Sequence, residues 1–286
     1  MKKTNLPTQD FILIAQDGSP NAQNAVITAI QIAKALHYQV LGIYVIDETL
    51  VMEEDSDFYR ETDSEPARLT RNEKADQFEN QGHRVLRWLE SRCLEANVTA
   101  SVAISQGGIP ETVINLMEHA RLLAIGLRGH GHSARDDYLG SNFKAIAHRA
   151  KIPMIVGGSE QRPLRKLLLA YNGKPHAKDA LAWANQLQDK LRVQVHVVTV
   201  EEEDDPARSE AWIRDVKQVL FQCKLGNCQF HSRKGHPASE IAAAAKDVQA
   251  DLLIMGGYRH KALLEWLGGS TVDEVLRTTV LTCLVV

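Results

Sequence analysis

Short, almost wholly apolar runs recur along the chain, separated by longer stretches in which apolar residues follow a helical period. A run that is apolar on both faces is typical of a parallel β-strand covered by helices on either side. These runs predict strands at Phe11–Ala15, Val40–Ile46, Val98–Ile104, Leu122–Ile125, Pro153–Val156, Leu167–Ala170, Val193–Val200, Cys228–Ser232, Leu252–Met255 and Val280–Val286.

The stretches between the runs predict helices. Pro110 stands near the first turn of one of them, as helices favour, and Ser141 opens another with a good N-cap residue. The predicted helices are Asn21–Leu36, Asp76–Glu95, Pro110–Ala120, Ser141–Ala150, Ala177–Lys190, Ala207–Leu225, Pro237–Val248 and Ser270–Thr278. Each half therefore alternates strand and helix, which predicts an α/β fold of two doubly wound units, each a five-stranded parallel sheet with helices on both faces.

The two halves share sequence as well as pattern. FILIAQDGSPNAQNAV near the start corresponds to KLLLAYNGKPHAKDAL later, where Gly18 meets Gly173 at an offset of 155. Near the end of each half, Gly140-Ser141 meets Gly269-Ser270 at an offset of 129. A repeat this long indicates two whole domains rather than a solenoid.

We place the two domains at residues 1–160 and 163–286. Each half ends in an apolar strand, and the edge of the second such strand needs cover. We therefore expect the two fifth strands to pair with each other, with the domains related by a pseudo-two-fold axis.

The first half carries an insertion. The offset falls from 155 to 127 where Gly108 meets Gly235, which gives about 28 extra residues (155 minus 127). We place them near 48–75, in an acidic segment from Glu48 to Lys74 that lacks a sustained apolar period, which we interpret as a loop with some helix. A functional loop and a tolerated surface insertion both fit this composition.

Composition narrows the possible classes of function. The formal net charge of -3 argues against a general affinity for nucleic acid or for anionic membranes. The run Phe11–Ala15 is too short for a secretory signal, and no run approaches transmembrane length. We expect a cytoplasmic protein without membrane insertion, with its four cysteines reduced or buried.

Polar and glycine residues follow the strands at positions that suit a nucleotide. Asp17 comes just after the first strand, and Gly126 comes just after the fourth. Ligands of open parallel sheets bind outside the carboxyl ends of the strands. A glycine loop that leads into the helix start at Gly140-Ser141 offers backbone N–H groups to phosphate, and the carboxylate of Asp17 suits ribose hydroxyls.

These motifs resemble the universal stress protein family in its tandem form, over nearly the whole chain. The family signature is Gly, two residues, Gly, nine residues, then Gly with Ser or Thr. The first half has Gly126, Gly129 and Gly140-Ser141 with ten residues in the long gap, and both halves carry a Gly-x-Pro phrase, at Gly108–Pro110 and Gly235–Pro237. The resemblance implies the strand order 3-2-1-4-5 in each domain.

The resemblance also implies a site for ATP, with or without Mg²⁺, in the first half. The acidic residue after the first strand would hold ribose, backbone at the end of the second strand would meet adenine, and the glycine loop would hold the phosphates. Carried over to this chain, the implied residues are Ala15, Asp17, Val45, Ile125, Gly126, Gly129, Gly140, Ser141 and Asn142.

The second half departs from the signature. Asn172 replaces the carboxylate, and Arg259 stands where the second glycine is expected. Arginine is able to bind phosphate or to block the loop, so a second site and a degenerate copy both remain open, and we expect one nucleotide per chain. The residues of the possible second site are Asn172, Val200, Gly256, Arg259, Gly269, Ser270 and Thr271.

Other polar residues carry less weight. Arg128, His130 and His132 stand beside the glycine loop, with Asp136 and Asp137 near in sequence. We interpret this group as a solvated loop rather than a metal site, because His-x-His with distant carboxylates is common by chance. We assign no catalytic residue and no metal.

Three functions are consistent with the sequence. A stress-response or signalling module that binds adenine nucleotide without efficient turnover is favoured, because no general base stands beside the predicted phosphates. A slow ATPase is the second. The third is a scaffold that binds another small molecule or a partner protein and no nucleotide. We expect a homodimer and an unidentified protein partner.

Overall fold

The computed structural model of the protein describes residues 6–48, 71–129, 139–201, 214, 228–257 and 271–286. In both halves strands and helices alternate as the hydrophobic pattern predicts. The strands of the first half are β1 (Phe11–Ala15), β2 (Gln39–Asp47), β3 (Ala100–Gly107), β4 (Leu122–Gly126) and β5 (Met154–Gly157). Its helices are α1 (Pro20–Leu36), α2 (Arg71–Ala96), α3 (Ile109–Met117) and α4 (Ser141–Ala147).

The second half repeats this order. Its strands are β6 (Lys166–Ala170), β7 (Gln194–Glu201), β8 (Cys228–Lys234), β9 (Leu252–Met255) and β10 (Thr282–Val285). Its helices are α5 (Pro175–Leu191), α6 (Pro237–Asp247) and α7 (Thr271–Thr278). The predicted helix at 207–225 lies outside the described residues, apart from Arg214, which is helical.

Two boundaries beside the insertion need correction. α2 begins at Arg71, so the last part of the segment predicted as insertion, 71–75, is helical. Residues 49–70 lie outside the described residues. β3 begins two residues later than predicted, because the N–H of Val98 donates to the carbonyl of Cys93 at 2.9 Å and closes the end of α2. Asn97 adopts a left-handed φ of 57° in that turn.

The ends of α3 and α4 also lie earlier than predicted. Both helices finish in tight i to i−3 turns, with Ala120 N–H donating to Met117 O at 3.1 Å and Ala150 N–H donating to Ala147 O at 3.4 Å. Such turns provide hydrogen bonds for the last carbonyl groups of a helix without extending the helix.

All ten strands form one continuous sheet, in the order β3-β2-β1-β4-β5-β10-β9-β6-β7-β8. Neighbouring strands are parallel within each half, and β5 pairs with β10 antiparallel, with Ile155 opposite Leu284. These two residues hold equivalent positions in the repeat, so the local two-fold axis passes through their pair. The predicted α/β fold and the predicted pairing of the fifth strands are confirmed.

Helices cover both faces of the sheet. One apolar layer lies beneath α1, α2 and α5, and the other beneath α3, α4, α6 and α7. Both layers run through the junction between the halves, where α1 also contacts α5. Asn21 and Asn24 of α1 donate to the carbonyls of Gly157 and Gly158 at 3.1 and 2.8 Å. The junction is therefore part of the core.

The same turn follows the first strand in each half. Gly18 and Gly173 have φ values of 87° and 74°, which favour glycine because a Cβ is disfavoured there. Proline then opens the helix, at Pro20 and Pro175. The left-handed glycines before α3 and α6 are Gly107 and Gly235, so the residue equivalent to Gly235 is Gly107 and the alignment with Gly108 is wrong by one position.

Two histidines replace apolar residues in the second half. His196 in β7 and His231 in β8 take the sheet positions of Leu41 and Ala103 in the first half. Their rings stack with centroids 5.3 Å apart, and His196 Nδ1 lies 3.0 Å from His231 Nε2. Burial lowers the pKa of His196, and the neighbouring His231 and Lys166 lower it further.

Burial lowers the pKa of His231 as well, and the charge of Arg233 adds to that effect while Asp247 opposes it. Because both pKa values are depressed in the folded state, the unfolded state binds more protons as the pH falls below about 6.5. The stability that the neutral pair provides is complete above that pH and declines through the folded pKa values.

We expect His196→Leu with His231→Ala, which restores the residues of the first half, to reduce the loss of unfolding free energy between pH 7 and pH 5. Urea denaturation at a series of pH values measures this loss. His119→Ala, which removes an exposed histidine outside this pair, serves as the control for the loss of a histidine. Equal slopes for the double variant and the wild type would contradict this account.

Candidate functional site

A cleft of about 650 Å³ opens at the carboxyl ends of β1, β2 and β4. In the first half, β2 and β3 lie on one side of β1, and β4 and β5 lie on the other. The cleft is at this switch point in the strand order, where ligands of open α/β sheets usually bind. Every residue predicted for the first site lines this cleft: Ala15, Asp17, Val45, Ile125, Gly126, Gly129, Gly140, Ser141 and Asn142. The structure thus brings the predicted residues together.

The turn after β1 holds the carboxylate of Asp17 in the lining of the cleft. The N–H of Ser19 donates to Asp17 Oδ1 at 2.8 Å, and the N–H of Gly18 donates to Gln16 Oε1 at 3.1 Å. The hydroxyl of Ser19 then donates to the carbonyl of Arg128 at 3.1 Å. This bond ties the turn after β1 to the loop after β4, so both sides of the cleft are held together.

The glycines of the loop after β4 allow close approach between protein segments. A Cβ on Gly126 would lie 2.8 Å from the backbone nitrogen of Ala22, and a Cβ on Gly129 would lie 2.9 Å from Asp17 Oδ2. A Cβ on Gly140 would lie 3.3 Å from the carbonyl oxygen of Leu127. The predicted reason for these glycines was room for phosphate, but the nearest neighbours are other parts of the chain.

The helix start at α4 differs from the prediction in one respect. Gly140 is the N-cap residue and makes no side-chain cap, whereas Ser141 is the first helical residue. Gly140 N–H donates to Leu127 O at 3.2 Å and its carbonyl accepts from Lys144 N–H at 2.9 Å. Ser141 and Asn142 are exposed and line the cleft beside the glycine loop.

The opposite end of the cleft contains residues that the sequence did not indicate. Tyr44 and Asp47 belong to β2, and Phe78 and Gln81 come from α2. Burial raises the pKa of Tyr44 to about 12, with a further contribution from the charge of Asp17. The phenol therefore stays neutral at ordinary pH. The spacing of Phe78 and Gln81 marks one helical face, but nothing in it indicated which strand that face would meet.

Two buried donors beside the cleft lack a hydrogen-bond partner in the described structure. They are Gln16 Nε2, on a side chain that is 4% exposed, and Arg128 Nε. An unpartnered buried donor costs free energy. Both atoms are donors, and both are shielded from solvent in this conformation.

The family model of the universal stress protein family matches residues 10–156 and 163–286. The chain belongs to the universal stress protein family. It contains two such domains in tandem, which confirms the resemblance drawn from the glycine motifs.

One universal stress protein compared by sequence and two compared by structure share 16–25% sequence identity with this chain. Universal stress protein Slr1230 of Synechocystis sp. is 25% identical over 158 residues, which span 55% of this chain and 55% of that protein. The match thus covers about half the length of this curated relative. The crystal structure of a universal stress protein from Archaeoglobus fulgidus has a TM-score of 0.74 at 20% identity, covering 96% of this chain and 97% of that chain.

A structure from Pseudomonas aeruginosa assigned to the same family has a TM-score of 0.65 at 16% identity and covers 98% of this chain and 93% of that chain. At such identities the likeness shows the fold of both domains together.

The second domain of this universal stress protein has the same turn after its first strand, but Asn172 stands there in place of the charged Asp17. Asn172 Oδ1 accepts from Lys174 N–H at 3.2 Å, as Asp17 accepts from Ser19. Val200 lies in β7, Gly256 follows β9, and Thr271 is exposed at the start of α7. A Cβ on Gly256 would lie 2.7 Å from the carbonyl carbon of His176.

The remaining predicted residues of the second site, Arg259, Gly269 and Ser270, lie outside the described residues, as do His130, His132, Asp136 and Asp137. Among the residues that are described, no group of three His, Cys, Asp or Glu side chains is arranged to hold a metal ion. No helix in the described ranges is long and apolar enough to cross a membrane.

Proposed function

We propose that this universal stress protein binds an adenine nucleotide, ATP with or without Mg²⁺, in its first domain and acts in stress-response regulation or signalling without efficient turnover. The observation that carries the proposal is the convergence of every residue predicted for the first site on one cleft of about 650 Å³. That volume lies within the usual range of small-molecule sites, about 300–1,000 Å³.

The chemistry of the cleft changes along its length in the way a nucleotide requires. The end beside β2 is lined by apolar groups that include Ile43, Val45 and Val113, whereas the end beside β4 has the glycine loop with Ser141 and Asn142. A base fits the first, phosphates fit the second, and Asp17 between them accepts hydrogen bonds from ribose hydroxyls.

The same lining supports slow or absent turnover. Its carboxylates are Asp17, at the ribose position, and Asp47, at the base end. The phenol of Tyr44 has its pKa raised to about 12. Efficient hydrolysis needs a base within hydrogen-bond reach of the attacking water. In the proposed arrangement, neither of the two carboxylates in the described lining stands at the phosphate end.

Isothermal titration with ATP and Mg²⁺ tests the proposal. We expect one nucleotide per chain with a dissociation constant below the millimolar range, and phosphate release far slower than dissociation. Asn172→Asp with Arg259→Gly should add or strengthen a second binding event. Wild-type protein that shows no binding below millimolar would favour the scaffold, and rapid phosphate release would favour the ATPase.

The proposal also places the protein in the cytoplasm as a homodimer with a protein partner. Native mass spectrometry tests the homodimer, and a localisation experiment tests the compartment.

A further inference from the structure

The side of α2 that faces the sheet forms one wall of the cleft. Ala75, Phe78 and Val85 of this helix pack against a small apolar cluster that contains Tyr44 and Ile46 of β2. A Cβ on Gly82 would lie 2.7 Å from Cδ1 of Tyr44. The missing side chain at this position lets α2 lie directly on the tyrosine ring, which brings the preceding turn of the helix to the cleft.

Two side chains of that turn, Phe78 and Gln81, line the cleft. They are three residues apart and so share one helical face. Both are partly exposed, as expected for side chains at the margin of an open site. An aromatic ring and an amide thus stand side by side.

The strand order determines which end of the cleft α2 borders. β2, which α2 covers, lies on one side of β1, and β4 with its glycine loop lies on the other. Two strand spacings, about 10 Å, therefore separate the α2 wall from the glycine loop. Phe78 and Gln81 are at the end where the base lies in the proposed function, remote from the phosphates.

We propose that Phe78 and Gln81 determine which base the cleft accepts. The inference rests on the proposed nucleotide site and assigns its specificity to α2. Phe78 supplies an aromatic face for stacking, which any base is able to use. Gln81 supplies one donor and one acceptor, the pair that matches the adjacent ring nitrogen and amino group of adenine.

The roles differ in a measurable way. Loss of the ring should weaken every nucleotide to a similar extent, about tenfold, because stacking tolerates all bases. Loss of the amide should weaken ATP by about tenfold and GTP far less, because a matched hydrogen-bonding pair discriminates between bases. The ratio of the ATP and GTP dissociation constants therefore separates the two residues.

Titrations of ATP and GTP into wild type, Phe78→Ala and Gln81→Ala test the inference. Phe78→Leu keeps apolar packing against Tyr44 while removing the aromatic face, so it reports stacking even where the alanine variant unfolds. Val85→Ala and Asn80→Ala are matched controls. The first loses packing on the same helix away from the cleft, and the second loses an exposed amide of the same helix.

We expect both Phe78 variants to weaken both nucleotides, and Gln81→Ala to lower the preference for ATP over GTP. Binding of ATP by wild type, with the Phe78 and Gln81 variants indistinguishable from their controls, would overturn the inference and leave the proposed function standing. Wild-type protein that binds neither nucleotide would overturn both.

Discussion

Replacing Leu284 with aspartate should lower the free energy of unfolding by more than about 4 kcal/mol. Leu284 is fully buried at the centre of the junction, opposite Ile155. A carboxylate there would lose its hydration without gaining a partner, which is among the most costly changes a core accepts. Because both apolar layers continue through the junction, we expect the two domains to unfold together.

Two control variants separate the cost of burying a charge from the cost of replacing the leucine side chain. Leu284→Met conserves volume and polarity, so its cost should stay below about 1.5 kcal/mol. Leu94→Asp introduces the same charge on a leucine that is 78% exposed, where the effect should be within about 0.5 kcal/mol. Urea denaturation followed by circular dichroism measures all three. Similar midpoints for Leu284→Asp and Leu94→Asp would rule out a buried junction between the domains.

The second large effect concerns ATP. Asp17→Ala should raise the dissociation constant for ATP tenfold or more, because hydrogen bonds to a charged group contribute about 1.5–3 kcal/mol. Part of that loss is structural, since Asp17 Oδ1 also accepts from Ser19 N–H. Asp17→Asn isolates the charge, because Asn172 makes the same turn contact in the second domain.

We expect Asp17→Asn to fold as wild type does and to weaken ATP by a smaller factor than Asp17→Ala, about fivefold, since it exchanges charged for neutral hydrogen bonds. Asp10→Ala is the control, because Asp10 lies before β1 and forms an exposed ion pair with Arg121. Calorimetric titration gives the three constants. If Asp17→Ala binds ATP as Asp10→Ala does, the ribose is not held at the end of β1.

The strands and their order of alternation could be predicted because parallel strands buried on both faces leave unbroken apolar runs, as in β1 and β9. The residues of the cleft could be predicted from strand ends, since the carboxyl ends of parallel strands meet at one edge. Both inferences use only local pattern and the general geometry of α/β sheets.

What the sequence could not provide is the identity of neighbours. The spacing of Gly126 and Gly129 reveals two glycines but not that they face Ala22 and the carboxylate of Asp17. Phe78 follows the insertion, and its approach to the cleft depends on the contact between Gly82 and Tyr44, far apart in the chain. Such pairings appear only when the sheet and its covering helices are assembled.

The antiparallel junction between β5 and β10 has a directional consequence. Because the two halves of the sheet run in opposite directions at that junction, the carboxyl ends of β1, β2 and β4 face one way and those of β6, β7 and β9 face the other. A molecule bound at one of these edges leaves the other edge open to a different molecule. The junction also occupies the fifth strand of each domain, so a second chain cannot join through it. The two strand-end edges therefore lie on opposite sides of the sheet, with the carboxylate of Asp17 at one and the amide of Asn172 at the other.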